Sequence, residues 1–265
     1  MLLANKNAII YGASGAIGSV ISRAFYREGA NLFLVARNRE KLEAFAHSFN
    51  DPQRVHAAAV DAANAEAVKQ HAAEVAARAG SIDISVNVTG VFHIQGVAFP
   101  DLSLEDFMYP VDHYIRVNFI TAQAAARHMI PKRSGVLLSI STPGSKLPGT
   151  GFMGYGLACS GIEALNRHLA GELGAYGIRS VCLRPDAIPE ALAHGSHSRE
   201  VFEIASAGAG ISIEKMLEMH AQSGPLLKRL PTLGEVAHTA VFMASDHASA
   251  ITGAVVNLTC GSQVD

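Results

Sequence analysis

The chain has no tryptophan, only 6% aromatic and 17% charged residues, and three cysteines in 265 positions. Its few charges nearly cancel, to a net −2. That excludes a strongly basic surface of the kind that holds nucleic acid or an anionic membrane. Three cysteines do not make a disulfide framework in a chain this long, so a reducing cytoplasm is the expected setting. No run reaches the ~18 apolar residues of a membrane span. The opening MLLANKNAII has no basic region leading into a long apolar run and cleavage site, so neither secretion nor membrane insertion is expected. His194 and His197 in HGSH have a ligand-like spacing. Without a third ligand pattern they read as solvated histidines, and no metal site is expected.

What is abundant is apolar material, 49% of residues, with 24 glycines. Short apolar runs alternate with longer helical patterns. NAIIY (7–11), NLFLV (31–35), VHAAAV (55–60), ISVNV (84–88), GVLLSI (135–140), IRSVCL (178–183) and AVVNL (254–258) read as strands. Helices are expected over 19–28, 39–48, 65–78, from Pro110 to Met129 with Pro131 as the stop, 155–174 and 233–244. Strands apolar throughout and separated by helices predict a parallel sheet covered on both faces. The expected fold is α/β: one Rossmann-type, doubly wound parallel sheet of about seven strands spanning 1–265 as a single domain. Residues 186–230 are too long for an ordinary loop and read as a substrate-covering lid within it.

GASGAIG places Gly12, Gly15 and Gly18 directly after a strand and before a helix, with Ser14 and Ile17 inside the same turn. Glycines there let backbone approach a pyrophosphate, whose charge is met by helix N-terminal amides. An acid at the end of the second strand would bond a ribose 2′-hydroxyl, whereas arginine accommodates a 2′-phosphate. Arg37 and Asn38 stand at that corner and no acid does, which favours NADP(H) over NAD(H).

Together these motifs resemble the short-chain dehydrogenase/reductases, nearly end to end. Asp61 falls at the family's adenine-contacting aspartate, and Asn87 and Gly90 in NVTG at the ends of its Asn-Asn-Ala-Gly motif. Asn118 aligns with the helix asparagine that anchors a proton-relay water, Tyr155 with the catalytic tyrosine, and Ile188 with a cofactor contact after the sixth strand. Residues 225–253 look like the family's carboxyl-terminal signature. The resemblance implies hydride transfer between nicotinamide and a carbonyl or carbinol carbon, with proton transfer through Tyr155. A hydroxyl thirteen residues earlier, Thr142, would hold the substrate oxygen, with Ser141 in reserve on the opposite strand face. It also implies a dimer or tetramer through the helices around 111–130 and 155–174, with Phe107, Tyr109, Phe119 and Met129 suited to the packed faces.

Three departures from the family pattern matter. Tyr-x-x-x-Lys is here Tyr-Gly-Leu-Ala-Cys, and a largely neutral thiol at Cys159 supplies no positive field for the phenol. Asp186 and Glu190 take the places of a glycine and a threonine near the nicotinamide, where carboxylates oppose a pyrophosphate unless they pair. NVTG lacks the second asparagine. Two classes of function stay open: an NADP(H)-dependent oxidoreductase on a small carbonyl or alcohol with atypical proton delivery, and a nucleotide-binding sensor or partner subunit without hydride transfer. Lys146, His93 and His113 are candidates for the helping group, unranked by sequence.

Overall fold

The computed structural model describes residues 1–264 except Thr150, Gly195, His197 and Ala209. The apolar runs form β1 (Asn7–Tyr11), β2 (Asn31–Ala36), β3 (Val55–Ala59), β4 (Ile84–Asn87), β5 (Gly135–Ile140), β6 (Ile178–Pro185) and β7 (Val255–Leu258). They pair in the order β3-β2-β1-β4-β5-β6-β7, every neighbour parallel. Strand order reverses direction beside β1, so the crevice where ligands bind in such sheets lies beyond the carboxyl ends of β1 and β4.

Helices cover both faces. α1 (Ala16–Arg27), α2 (Arg39–His47) and α9 (Leu233–Ala244) belong to one side. There Ile10, Leu32, Leu34, Phe25 and Val236 are fully enclosed. α3 (Ala65–Ala79), α4 (Leu104–Lys132) and α5 (Met153–Leu173) cover the other, around Ile9, Phe33, Val68 and Ala125. Thr232 and Glu235 form a reciprocal capping box at the start of α9, which fixes that helix where the sequence places it.

Helix α4 corrects the expectation that Pro110 begins a helix and Pro131 stops it. The helix begins six residues earlier, with both prolines inside. Ser103 caps it by accepting from the Asp106 amide at 3.0 Å, and Glu105 and Asp106 set negative charge in the first turn. These signals start the helix ahead of Pro110, which sits buried within it. Pro131 lies in the final turn, one residue before the helix ends at Lys132. Met129 also departs from expectation, being fully buried against Gly135 inside the fold and unavailable to a partner subunit. Tyr109 and Phe119 do lie exposed on α4.

The stretch expected as a lid is helical: α6 (Pro189–Ala193), α7 (Ser198–Gly208) and α8 (Ile213–Ser223). His194 is described there, while His197 lies outside the described residues. No group of three potential metal ligands occurs among the described residues, and no helix among them is long and apolar enough to cross a membrane.

Candidate active site

The loop after β1 is the tightest turn at the crevice. Gly12 has φ +83°, and its amide and that of Ala13 both donate to Val35 O at the end of β2, at 2.8 and 3.1 Å. A side chain on Gly18 would put a Cβ 2.1 Å from Gly12 O, so α1 approaches this loop only because residue 18 has none. Gly15 begins α1 and no side chain caps the helix. Its first amides therefore face the crevice with the positive end of the helix dipole. A glycine-lined loop leading into an uncapped helix start suits a pyrophosphate. Ser14 and Ile17 are half-buried in this turn.

Arg37 and Asn38 follow β2, both exposed. Asn38 has a role that sequence reasoning missed: its Oδ1 accepts from the Lys41 amide at 2.9 Å and caps α2. Asp61, after β3, is exposed and accepts from the Ala63 amide. Arg37 and Asp61 both act on His113 of α4, whose pKa is lowered first by burial and then by Arg37. That associates His113 with the Arg37–Asp61 edge of the crevice. Asn87 closes the loop after β4, accepting from the Thr89 amide and hydroxyl at 3.0 and 2.7 Å and donating to Thr121 Oγ1 at 3.0 Å. Gly90 follows, half-buried.

The second half of the site hangs on α5. A Cβ on Gly154 would lie 2.6 Å from Phe107 O, so the helix start packs against α4 backbone and carries Tyr155 to the end of β5. Thr142 Oγ1 and Cys159 Sγ are 3.3 Å apart, and both side chains lie beside the Tyr155 phenol and act on it. Loss of water around the phenol, with Cys159 and Tyr114 beside it, pushes the Tyr155 pKa well up. The Cys159 thiol is 2% exposed and also pushed up by burial. The group in the lysine's place is thus a neutral thiol.

Ser141, one residue from Thr142, departs from the expected opposite strand face: β5 ends at Ile140, and Ser141 turns to the same helix α5 as Thr142, one helical turn further on. Its hydroxyl donates to Glu163 Oε1 at 2.7 Å. Glu163 in turn accepts from Arg184 Nε and Nη2 at 2.8 and 3.1 Å. Both members of this ion pair are buried, with side chains 6% and 2% exposed. Asn118 faces a different place. Its amide donates to Tyr114 O at 2.9 Å, and it lines a small cavity of about 20 Å3 with Asn87, Ser139 and Asn166. A polar cavity of that size holds about one water.

The two carboxylates expected to oppose a pyrophosphate are both partnered. Asp186 accepts from Ser262 Oγ, from the Ala187 amide at 2.7 Å and from His220 Nε2 of α8 at 3.0 Å. Glu190 accepts from the Leu233 amide at 2.8 Å, at the positive end of α9. Ile188, between them, is buried and begins α6. Residues 259–263 reach the loops after both β5 and β6: Ser262 bonds Asp186 after β6, and Gln263 Nε2 donates to Pro143 O after β5 at 3.0 Å.

The bond between Asp186 and His220 of α8 has a defined pH sense. Burial raises the Asp186 pKa, but His220, Ser262 and the Ala187 amide outweigh it and hold the carboxyl below its ordinary 3.8. Its hydrogen bond to Asp186 raises His220 above 6.5, against burial. A group with a raised folded pKa contributes fully below its unfolded value and loses that contribution as pH rises through the folded one. Hydrogen-exchange protection of α8 is therefore expected to fall as pH climbs above the ordinary imidazole value. Asp186→Asn should remove the dependence, and unchanged protection across that range would refute the role of this bond.

Residues 12–263 match the family model described as enoyl-(acyl carrier protein) reductase. The chain is 28% identical over 262 residues to 3-oxoacyl-[acyl-carrier-protein] reductase FabG of Chlamydia muridarum, with 98% of each chain covered. It is 31% identical over 253 residues to oxidoreductase UcpA of Salmonella typhimurium, covering 95% of this chain and 92% of that one. Its fold is that of an NAD+-bound xylitol dehydrogenase, with TM-score 0.86 at 21% identity over 98% of this chain and 100% of the other.

Proposed function

Since the chain belongs to the short-chain dehydrogenase/reductase family, we propose that it is an NADP(H)-dependent oxidoreductase interconverting a carbonyl and a hydroxyl group of a small molecule. The observation that carries this reading is the contact of Tyr155 with Thr142 at the end of β5. A bound nicotinamide dinucleotide would supply the hydride. Gly12, Gly15 and Gly18 with the α1 amides would hold its phosphates, and Arg37 would meet a 2′-phosphate. The Thr142 hydroxyl both donates and accepts, so it can hold the substrate oxygen while Tyr155 passes that oxygen a proton. Cys159 adds a hydrogen bond to this pair and no charge, which makes proton delivery atypical for the family. Exposed Met108 and Phe119 on α4, with Met153 and Leu157 on α5, support a homodimer or homotetramer joined through these helices.

A second reading, a nucleotide-binding protein without hydride transfer, is favoured by the upward push on the Tyr155 phenol. Spectrophotometric oxidation of NADPH against a broad carbonyl panel separates the two. Turnover is expected in the natural chain. Cys159→Lys should raise it roughly 10- to 1000-fold, the value of an ammonium ~4 Å from the phenol at dielectrics between protein surface and water. NADPH binding with no turnover in either protein would establish the second reading.

A further inference from the structure

The imidazole of His93 lies on the ring of Tyr155. Their centroids are 4.1 Å apart and their planes 16° from parallel. Tyr114 meets His93 edge-on, with centroids 6.2 Å apart at 75°. His93 is 3% exposed, yet both ring nitrogens have partners: Nδ1 is 2.9 Å from Val91 O, and Nε2 is 2.6 Å from Gln95 Nε2.

These partners are selective for the proton on one nitrogen and indifferent on the other. Val91 O can only accept, so Nδ1 carries a hydrogen in every state. Gln95 has a donor end and an acceptor end on one amide. Its NH2 satisfies a bare Nε2, and the same amide turned over offers its oxygen to a protonated Nε2. The pocket therefore accommodates a neutral imidazole or an imidazolium with both nitrogens bonded. A cation over an aromatic face is attracted to the ring, and it stabilises a phenolate more than a phenol.

We propose that His93 is a positioning residue for Tyr155 and that, as imidazolium, it supplies over the phenol ring the positive charge that residue 159 does not. This rests on the reading of Tyr155 as proton donor. The consequence is an enzyme whose tyrosine is assisted conditionally. Burial lowers the His93 pKa, against the pull of Val91 O, so the charge is present only on the acid side of 6.5. The phenols and the thiol facing it stay neutral across that range. Burial pushes the Tyr155 and Tyr114 phenols up, and likewise the Cys159 thiol beside Tyr155. His113, edge-on to Tyr114 with centroids 6.0 Å apart, is also lowered.

The test pairs a rate with a spectrum. In the reductive direction, kcat/KM should rise roughly tenfold or more as pH falls from about 8 to about 5, with an inflection below the ordinary imidazole value. His93→Phe keeps an aromatic ring on Tyr155 and should lose the inflection, as should His93→Gln. An inflection that persists in both variants overturns the proposal. The second measurement needs no turnover and no variant of His93. The 13Cζ signal of Tyr155, assigned by its loss in Tyr155→Phe, should move through the same pH range as the His93 ring signals. A Tyr155 signal that ignores the His93 titration overturns the proposal. A coupled signal in a protein that never oxidises NADPH supports the contact and overturns the oxidoreductase reading.

Discussion

Phenylalanine in place of Tyr155 is expected to lower NADPH-dependent carbonyl reduction by roughly 10²- to 10⁴-fold, the usual contribution of a positioned general acid. The change removes one hydroxyl and keeps the ring on which His93 stacks and which touches Tyr114 at 5.9 Å. The loss should therefore fall on kcat. NADPH affinity, set at the glycine loop and α1, should change by no more than about threefold, as fluorescence titration would show. Thr142 and Cys159 remain 3.3 Å apart and can still bond one another. Retention of full activity in Tyr155→Phe would mean that the proton comes from elsewhere, and the role assigned to Thr142 would fall with it.

The largest expected effect on stability is at the buried ion pair. Arg184→Met leaves the Glu163 carboxylate enclosed without its counter-charge, which costs about 3–5 kcal/mol. At about 2–4 °C per kcal/mol for a domain near this size, the melting temperature should fall by about 10 °C. Replacing both partners, Glu163→Leu with Arg184→Met, should recover much of the loss, because the desolvation penalty of the two charges disappears with them. Burial alone would raise the Glu163 pKa, but Arg184 and Ser141 bring it below the ordinary 4.5. A group with a depressed folded pKa contributes fully above its unfolded value and loses that contribution as pH falls through the folded one. The gap between natural and Arg184→Met protein should thus narrow only on the acid side of 4.5. Equal melting temperatures for the two near neutral pH would show that the pair is energetically idle. Ser141 hangs on this carboxylate, so Arg184→Met should also loosen the backbone next to Thr142.

The seven strands were legible because a sheet buried on both faces demands unbroken apolar runs, and those stand out in one dimension. Helix α9 was legible for the same kind of reason, since Thr232 and Glu235 announce a helix start. Helix α4 was not. Its true start is marked by Ser103 with Asp106, a local capping signal that the two prolines obscured. Within the site, the thirteen-residue interval between Thr142 and Tyr155 follows the family spacing, whereas strand alternation misplaced Ser141, which lies past the end of β5 and turns to α5 as Thr142 does. The partners of Asp186 and Glu190 could not be read: His220, Ser262 and Leu233 are brought to them only by the fold. Glu163 and Arg184 are equally remote, one on α5 and one on β6. The available signal was Arg184 directly after the apolar VCL of β6, a place where a buried strand tolerates an arginine only with a counter-ion. His93 carried no periodic signal, and only the loop after β4 brings it onto Tyr155.

The bonds from residues 259–263 to the loops after β5 and β6 also order events during synthesis. Strands β1, β2 and β4, with the turn around Gly12, involve only the first ninety or so positions and can assemble while the chain is still being made. Pro143 and Asp186 wait for Gln263 and Ser262, which leave the ribosome more than seventy residues after Asp186. A nascent chain thus completes the glycine-rich turn after β1 well before it closes the loops after β5 and β6.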